Sequence, residues 1–369
     1  MRRHPRTLHE LPTPALVIDI DVLDRNISRM AGRTGQLGVR IRPHVKTHKC
    51  VEIGRRQLEA GAAGITVSTL FEARTFADAG FDDILWAFPV ILGRLDEARA
   101  LADRINFGLV VDTIDAANAV IADGYPFRVH IKVDSGYHRA GMNPTGAEIL
   151  QVARTLADAP RIELAGILSH SGHAYHGSSP DEIAQIAEQE RVVMTECADR
   201  LGQHDVPVPE ISVGSTPSMA QVRSLAGVTE ARPGNYAFYD FTQVALGSCA
   251  PADCAATVVA SVVSSQQGAQ HCIVDAGALA LSKDTGPNGS HGPTMGELYA
   301  DYHAGTYHAD HRVVAVSQEH GRIDRALPVG SRVRIAPNHS CLTAAQFDHA
   351  YVARGQDVID CWTIRRGRD

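Results

Sequence analysis

A chain of 369 residues with 44% apolar and 21% charged content has the make-up of an ordinary globular protein and the length for one large domain plus a smaller one. Its formal net charge of −7, from 35 Lys and Arg against 42 Asp and Glu, comes without any run of like charges, which argues against a nucleic-acid partner. The basic opening Met1-Arg2-Arg3 leads into no apolar signal segment, and no stretch has the apolar length of a membrane span, so a cytoplasmic protein without a membrane partner is expected.

From Val39 to about Ala231 short apolar runs alternate with amphipathic stretches, the pattern of βα units around a parallel sheet. The apolar runs fall near 39–45, 64–68, 83–88, 105–111, 127–134, 163–170, 209–214 and 228–231. Helices are expected between them, at Val51 to Ala60, Leu70 to Ala79, Ala116 to Asp123, Ala147 to Asp158 and Asp181 to Leu201. Eight strands with intervening helices predict a (β/α)8 barrel in an α/β chain. An open doubly wound sheet is the alternative, but the first strand is followed by no dinucleotide glycine fingerprint.

After Tyr239 the runs Ala255 to Ser264, His271 to Val274, Arg312 to Ser317 and Ser331 to Ile335 are β-rich and punctuated by Gly, Pro, Asn and Asp, which predicts a C-terminal all-β domain. The expected division is a barrel over residues 12–243 and a β-domain over 244–369, with residues 1–11 packed on the latter. Lys283 to Thr294 has no periodicity and reads as a surface loop. The seven cysteines, Cys50, Cys197, Cys249, Cys254, Cys272, Cys341 and Cys361, show no Cys-x-x-Cys spacing and are expected as thiols.

Arg42-Pro43-His44-Val45-Lys46-Thr47-His48-Lys49 lies where the first barrel strand ends, and in a barrel that end is the catalytic face. A lysine held there among other cations keeps more of its amine free to form a Schiff base. Taken alone, these residues read equally well as a basic loop in solvent. Gly214-Ser215-Thr216 and Gly234-Asn235 follow the seventh and eighth strands, where barrels bind phosphate through backbone N–H groups; simple turns are the competing reading. His170-Ser171-Gly172-His173-Ala174-Tyr175-His176 follows the sixth strand and offers imidazoles for acid–base work near neutral pH.

Pro43-His44-Val45-Lys46-Thr47-His48-Lys49, after the opening Leu11-Pro12-Thr13-Pro14-Ala15-Leu16-Val17, resembles the D-serine dehydratase and D-threonine aldolase group of alanine-racemase-like pyridoxal-phosphate enzymes. The likeness runs from Leu11 to about Trp362 and implies a barrel followed by a β-domain. By that resemblance Lys46 is the cofactor lysine, and Gly214, Ser215, Thr216, Gly234 and Asn235 meet the phosphate of pyridoxal 5'-phosphate. Arg139, in Asp134-Ser135-Gly136-Tyr137-His138-Arg139, is implied to contact the phenolic oxygen or the substrate carboxylate. Tyr175 is implied to face the pyridine nitrogen, a place for which Arg232 also competes, while His170, His173 or His176 assists proton transfer.

In Pro337-Asn338-His339-Ser340-Cys341, read as a strand, side chains two apart point to one side, so His339 and Cys341 can grip one ion. Imidazole plus thiolate suits zinc, with manganese or magnesium as alternatives, and two protein ligands leave open positions for chemistry. The resemblance places such a pair in D-serine dehydratases. Aldolases of the group carry Asp at the position of Cys341. The expectation is therefore a metal-activated lyase of β-hydroxy-D-amino acids, foremost a D-serine dehydratase. D-threonine aldolase, 3-hydroxy-D-aspartate lyase and a non-catalytic pyridoxal-phosphate carrier are the alternatives. The resemblance also implies a homodimer.

Overall fold

In the computed structural model, which describes residues 5–287 and 294–368, the eight apolar runs become eight parallel strands. Chain order gives β1 (Ala15–Asp19), then β2 (Arg40–Ile41), β3 (Ile65–Val67), β4 (Asp83–Pro89), β5 (Asn106–Val111), β6 (Arg128–Lys132), β7 (Glu163–Leu168), β8 (Glu210–Val213) and β9 (Glu230–Ala231). The helices of this part are α1 (Ile20–Gln36), α2 (Val51–Glu59), α3 (Leu70–Asp78), α4 (Leu95–Ala102), α5 (Ile114–Asp123), α6 (Ala147–Ala157), α7 (Pro180–Gly202) and α8 (Thr216–Gln221). Their starts follow capping chemistry: the Thr69, Thr113 and Ser179 hydroxyls accept from the N–H groups of Glu72, Ala116 and Glu182, which satisfies donors that have no intrahelical acceptor.

The barrel closes on itself. β2 pairs with β9, and on its other side the Ala63 N–H donates to the Ile41 carbonyl at 2.9 Å and the Thr66 N–H to the Pro43 carbonyl at 2.8 Å. Leu85, Val110 and Leu168 pack together from strands β4, β5 and β7. The floor, at the strand starts, is ionic: Glu210 receives Arg40, Arg128 and His130.

The second compact unit takes Asn235–Arg366 together with the N-terminal residues up to Arg29 and the segment Thr47–Ile53. Its strands are β1, β10 (Ala256–Ser264), β11 (Cys272–Val274), β12 (Gly296–Asp301), β13 (Thr306–Val316), β14 (Gly321–Ile323), β15 (Arg332–Ala336), β16 (His349–Arg354) and β17 (Asp357–Thr363). β10 pairs with both β15 and β11, so β10 to β15 form a closed antiparallel ring filled by Val258, Val274, Leu298, Val313, Ile323 and Ile335. Closure removes exposed edges. β1, between β10 and β16, extends the sheet outward. Short helices α9 (Phe241–Ala245), α10 (Ala278–Leu281) and α11 (Ser340–Ala344) complete the unit.

Of the loop expected over residues 283–294, residues 288–293 lie outside those described. All seven cysteines are free thiols. Among the described residues no helix is long and apolar enough to cross a membrane.

Candidate active site

Lys46 sits in a 3-10 turn, Val45–Thr47, entered from the end of β2. The His44 N–H donates to the Pro233 carbonyl at 2.9 Å, which ties this turn to the Arg232-Pro233-Gly234 loop after β9. Lys132, at the end of β6, is 6% exposed. Burial pushes its amine down to about 8, and the charges of Arg232, Arg139 and Lys46 push the same way against Asp112. His170 is held well below the usual histidine range, first by burial and then by Lys46, Arg139, Lys132 and Arg232. Four cations thus converge on one imidazole at the strand ends. An anion with several negative oxygens is the ligand such a set accommodates, and pyridoxal 5'-phosphate, with its phosphate and phenolate, fits it.

Two buried carboxylates anchor this cluster. Glu190, on α7, accepts from Ser169 Oγ at 2.7 Å, Ser171 Oγ at 2.8 Å and the Gly214 N–H at 3.2 Å. Glu230 accepts from Arg42 Nε at 2.7 Å and Ser212 Oγ at 2.7 Å, and Arg232 donates to Ser212 Oγ and the Ser169 carbonyl. Arg42 reaches Asp83 with its other end. The strand ends are therefore held by a chain of charge-assisted hydrogen bonds, the stronger kind.

The histidine segment folds as a 3-10 turn, Gly172–His176. The Tyr137 ring stacks on His173 with centroids 6.1 Å apart and meets His170 edge-on at 6.2 Å. Gly172 makes room for it, since a Cβ there would lie 2.3 Å from the Tyr137 ring. Arg139 is exposed, its guanidinium 5.0 Å from the centre of the same ring. His173 Nδ1 and Ser135 Oγ are buried without a hydrogen-bond partner among the described residues, donors or acceptors that suit a bound polar group. Tyr175 is half-buried, while His176 is exposed at the far end of the turn.

Gly214 adopts φ +103 at the end of β8, a conformation favoured by glycine, and turns the chain into α8. The Ser215 side chain caps that helix, and Ser218 Oγ receives the Ser215 N–H at 2.8 Å. Asn235, expected at the phosphate, directs its side chain elsewhere: Nδ2 donates to Asp240 Oδ2 at 2.6 Å and Ser340 Oγ at 3.1 Å, with Cys341 Sγ 3.7 Å away.

The strand expected at His339 to Cys341 is a helix start. β15 ends at Ala336, His339 is the N-cap of α11, and Cys341 lies in its first turn. Asp240 fixes this start by accepting from the Ser340 N–H at 2.9 Å and the Ser340 hydroxyl at 3.1 Å. His339 and Cys341 nevertheless lie near enough to act on each other's charge. Burial alone would lower the imidazole and raise the thiol, but their mutual attraction reverses both, taking His339 up to about 10 and Cys341 below its ordinary value. His339 Nδ1 is 2.6 Å from Asp284 Oδ2, and Cys341 Sγ is 3.3 Å from Thr47 Oγ1, the residue after Lys46 in the chain. A thiol whose pKa is lowered, beside an imidazole braced by a carboxylate, is a donor set that fits zinc. Among the described residues no group of three or more His, Cys, Asp or Glu is arranged around one point.

Lys132, Glu190, Ser169, Glu230 and Asp284 join the site without a motif of their own in the sequence, whereas Arg42 and Thr47 belong to the Lys46 segment. A charged Lys132 ending an apolar run was the one local signal.

A closed parallel barrel with a cation-lined mouth, continued into a β-domain, defines the alanine-racemase-like class. The alanine racemase N-terminal domain model matches residues 18–240, and the serine dehydratase domain model matches residues 255–353. The chain is 40% identical to D-threo-3-hydroxyaspartate dehydratase of Delftia sp. (strain HT23), over 98% of this chain and 99% of that one. It is 34% identical to D-serine dehydratase of Dictyostelium discoideum, over 97% and 98%. A solved cysteine-to-alanine mutant of D-threo-3-hydroxyaspartate dehydratase, in the metal-free form, superposes with TM-score 0.93 at 38% identity, covering 98% of this chain and 99% of that one. The chain belongs to the D-serine dehydratase and D-threonine aldolase group of alanine-racemase-like, pyridoxal-phosphate-dependent lyases that act on β-hydroxy-D-amino acids.

Proposed function

We propose that this protein is a metal-activated dehydratase of β-hydroxy-D-amino acids, with D-serine as substrate and pyruvate and ammonia as products. The observation that carries the reading is the His339–Cys341 pair, whose thiol bonds to Thr47 directly after Lys46. It supports a metal donor set built within the β-domain unit beside Thr47. The metal-free state named for the relative's cysteine mutant supports the same use of Cys341. Both relatives described above are dehydratases, which favours elimination over aldol cleavage.

Pyridoxal phosphate, when bound, supplies the electron sink that makes a proton at the substrate Cα removable, and zinc supplies the Lewis acid that turns a β-hydroxyl into a leaving group. Lys46 holds the cofactor in the resting enzyme, and its freed amine is the base that takes the α-proton. Gly214, Ser215, Thr216, Gly234 and the backbone of Asn235 receive the phosphate, while Lys132 and Arg139 neutralise the phenolic oxygen and the substrate carboxylate. Tyr175 is assigned to the pyridine nitrogen, because Arg232 already commits two donors to Ser212 and Ser169. His170, kept neutral, accepts a proton where needed; His173 is its neighbour through Tyr137, and His176, being exposed, has the weakest claim. His339 and Cys341 hold the metal, with Asp284 orienting the imidazole. We further propose a cytoplasmic homodimer in which the barrel carries the cofactor and the β-domain the metal.

The purified protein, with D-serine, D-threo-3-hydroxyaspartate and D-threonine supplied separately, should release pyruvate and ammonia from D-serine, lose this on chelation and regain it with zinc. Glycine and acetaldehyde from D-threonine as the dominant products would replace the reading with an aldolase. Faster turnover of D-threo-3-hydroxyaspartate would shift the substrate and keep the chemistry. No turnover of any of them would favour a cofactor carrier.

A further inference from the structure

The β-domain unit contains a cavity of about 490 Å³ lined by the Leu8–His9 turn and by residues of β10, β12 and β15. Arg334 on β15 lines it. Its guanidinium lies over the Tyr302 ring, 3.3 Å from the centroid, and Nε donates to Thr257 Oγ1 at 2.8 Å. Its Nη2 is buried and meets no acceptor among the described residues. Arg332, two residues earlier and so on the same face of the strand, lines the same cavity and donates Nη1 to the Leu8 carbonyl at 3.2 Å. The carboxylate in the lining belongs to Asp301, whose Oδ1 accepts from the Ala304 N–H at 2.9 Å. Among the described residues no carboxylate forms an ion pair with Arg334, and the charge of the buried Asp19 acts on it from farther off.

A buried guanidinium with an unmet donor and only a distant counter-charge is unfavourable, and its planar fork is shaped for a carboxylate or phosphate. Val259, Leu298 and Leu327 give the wall an apolar side, and His9, His303 and His308 stand among its polar residues. The volume is that of a small-molecule site, far more than an inorganic ion fills. We propose that this cavity binds an organic oxyanion of metabolite size, with its carboxylate or phosphate on Arg334 and Arg332 and its carbon body against the apolar wall. This site takes no part in the catalytic reading above and stands or falls independently of it.

The test is calorimetric titration of the holoenzyme with phenyl phosphate and with benzoate, alongside inorganic phosphate and chloride at matched ionic strength. Saturable binding at one site per chain is expected, at least tenfold tighter for one of the aromatic anions than for inorganic phosphate. Which anion binds more tightly tells phosphate ligands from carboxylate ligands. Arg334→Met should weaken that binding at least tenfold while leaving turnover intact. Should this variant fail to fold, Ala300→Trp, which adds bulk at the exposed edge of the cavity, should weaken binding to a similar degree. Heats no larger than those of chloride, or binding unchanged in the folded variants, would overturn the proposal.

Discussion

The Glu190 carboxylate accepts the Gly214 N–H at 3.2 Å while holding both Ser169 and Ser171, so one residue in the middle of α7 fixes the loops after β7 and β8 together. The first loop carries the histidines and the second the assigned phosphate turn. Glu190→Ala strands three buried donors. Each unmet group costs about 1–3 kcal/mol, so urea denaturation should show a loss of several kcal/mol, with Glu190→Gln losing less. Weaker retention of pyridoxal phosphate on dialysis, followed by visible absorbance, should accompany both.

Asp284 braces His339 through Nδ1. Outer carboxylates of this kind orient metal-binding imidazoles, and their removal lowers metal affinity by about 10–100-fold. Asp284→Asn should therefore raise the free zinc needed for half-maximal activity by that factor, measured in zinc buffers, with little change in the thermal midpoint of the metal-free protein. An unchanged zinc requirement would remove Asp284 from the metal site.

In the metal-free protein, His339 keeps the Cys341 thiol low against the burial that raises it. His339→Gln takes away that opposing charge, so the thiol should rise and its thiolate fraction near pH 7.5 should fall. The rate of iodoacetamide labelling at Cys341, located by peptide mass spectrometry, should drop by about tenfold or more. Equal rates would show that the two side chains do not share charge in solution.

Acid should weaken the barrel floor in two stages. Burial holds the His130 imidazole below its ordinary value even though it bonds to Glu210 at 2.9 Å. The unfolded chain therefore takes up this proton first, and stability falls as pH drops below about 6.5. The Glu210 carboxyl resists burial because His130, Arg128 and Arg40 hold it below its ordinary value. Its contribution is present above about pH 4.3 and is lost as pH falls through that value toward its folded pKa. Urea midpoints recorded from pH 7 to pH 4 should decline, and His130→Gln should flatten the first part of the decline.

Periodicity made the barrel legible because each of its strands is a local apolar run, and those at β3, β5, β7 and β8 are followed by a helix with a side-chain cap. β1 was not legible as a separate element, since Ala15–Asp19 finds its partners only at Val259 and Tyr351. The candidate lysine, the histidine turn and the His339–Cys341 pair could be read from residue type and order. The strand geometry assumed for that pair was wrong because Asp240, distant in sequence, caps a helix there. The same reason hides Glu190, Arg42 and Glu230: a buried carboxylate or guanidinium looks like any surface charge until its partner is seen. Lys132 was the exception, an ammonium at the end of an otherwise apolar strand.

β1 occupies the slot between β10 and β16, and this has a consequence for synthesis on the ribosome. The nascent chain delivers Ala15–Asp19 first and its two neighbours only after every barrel strand has been made. During that interval an apolar strand stands with both edges open, the kind of segment that chaperones retain and that aggregates when they do not. Closing so distant a pairing is slow. Translation rate and chaperone supply, rather than the final stability of either unit, should therefore govern the yield of folded protein.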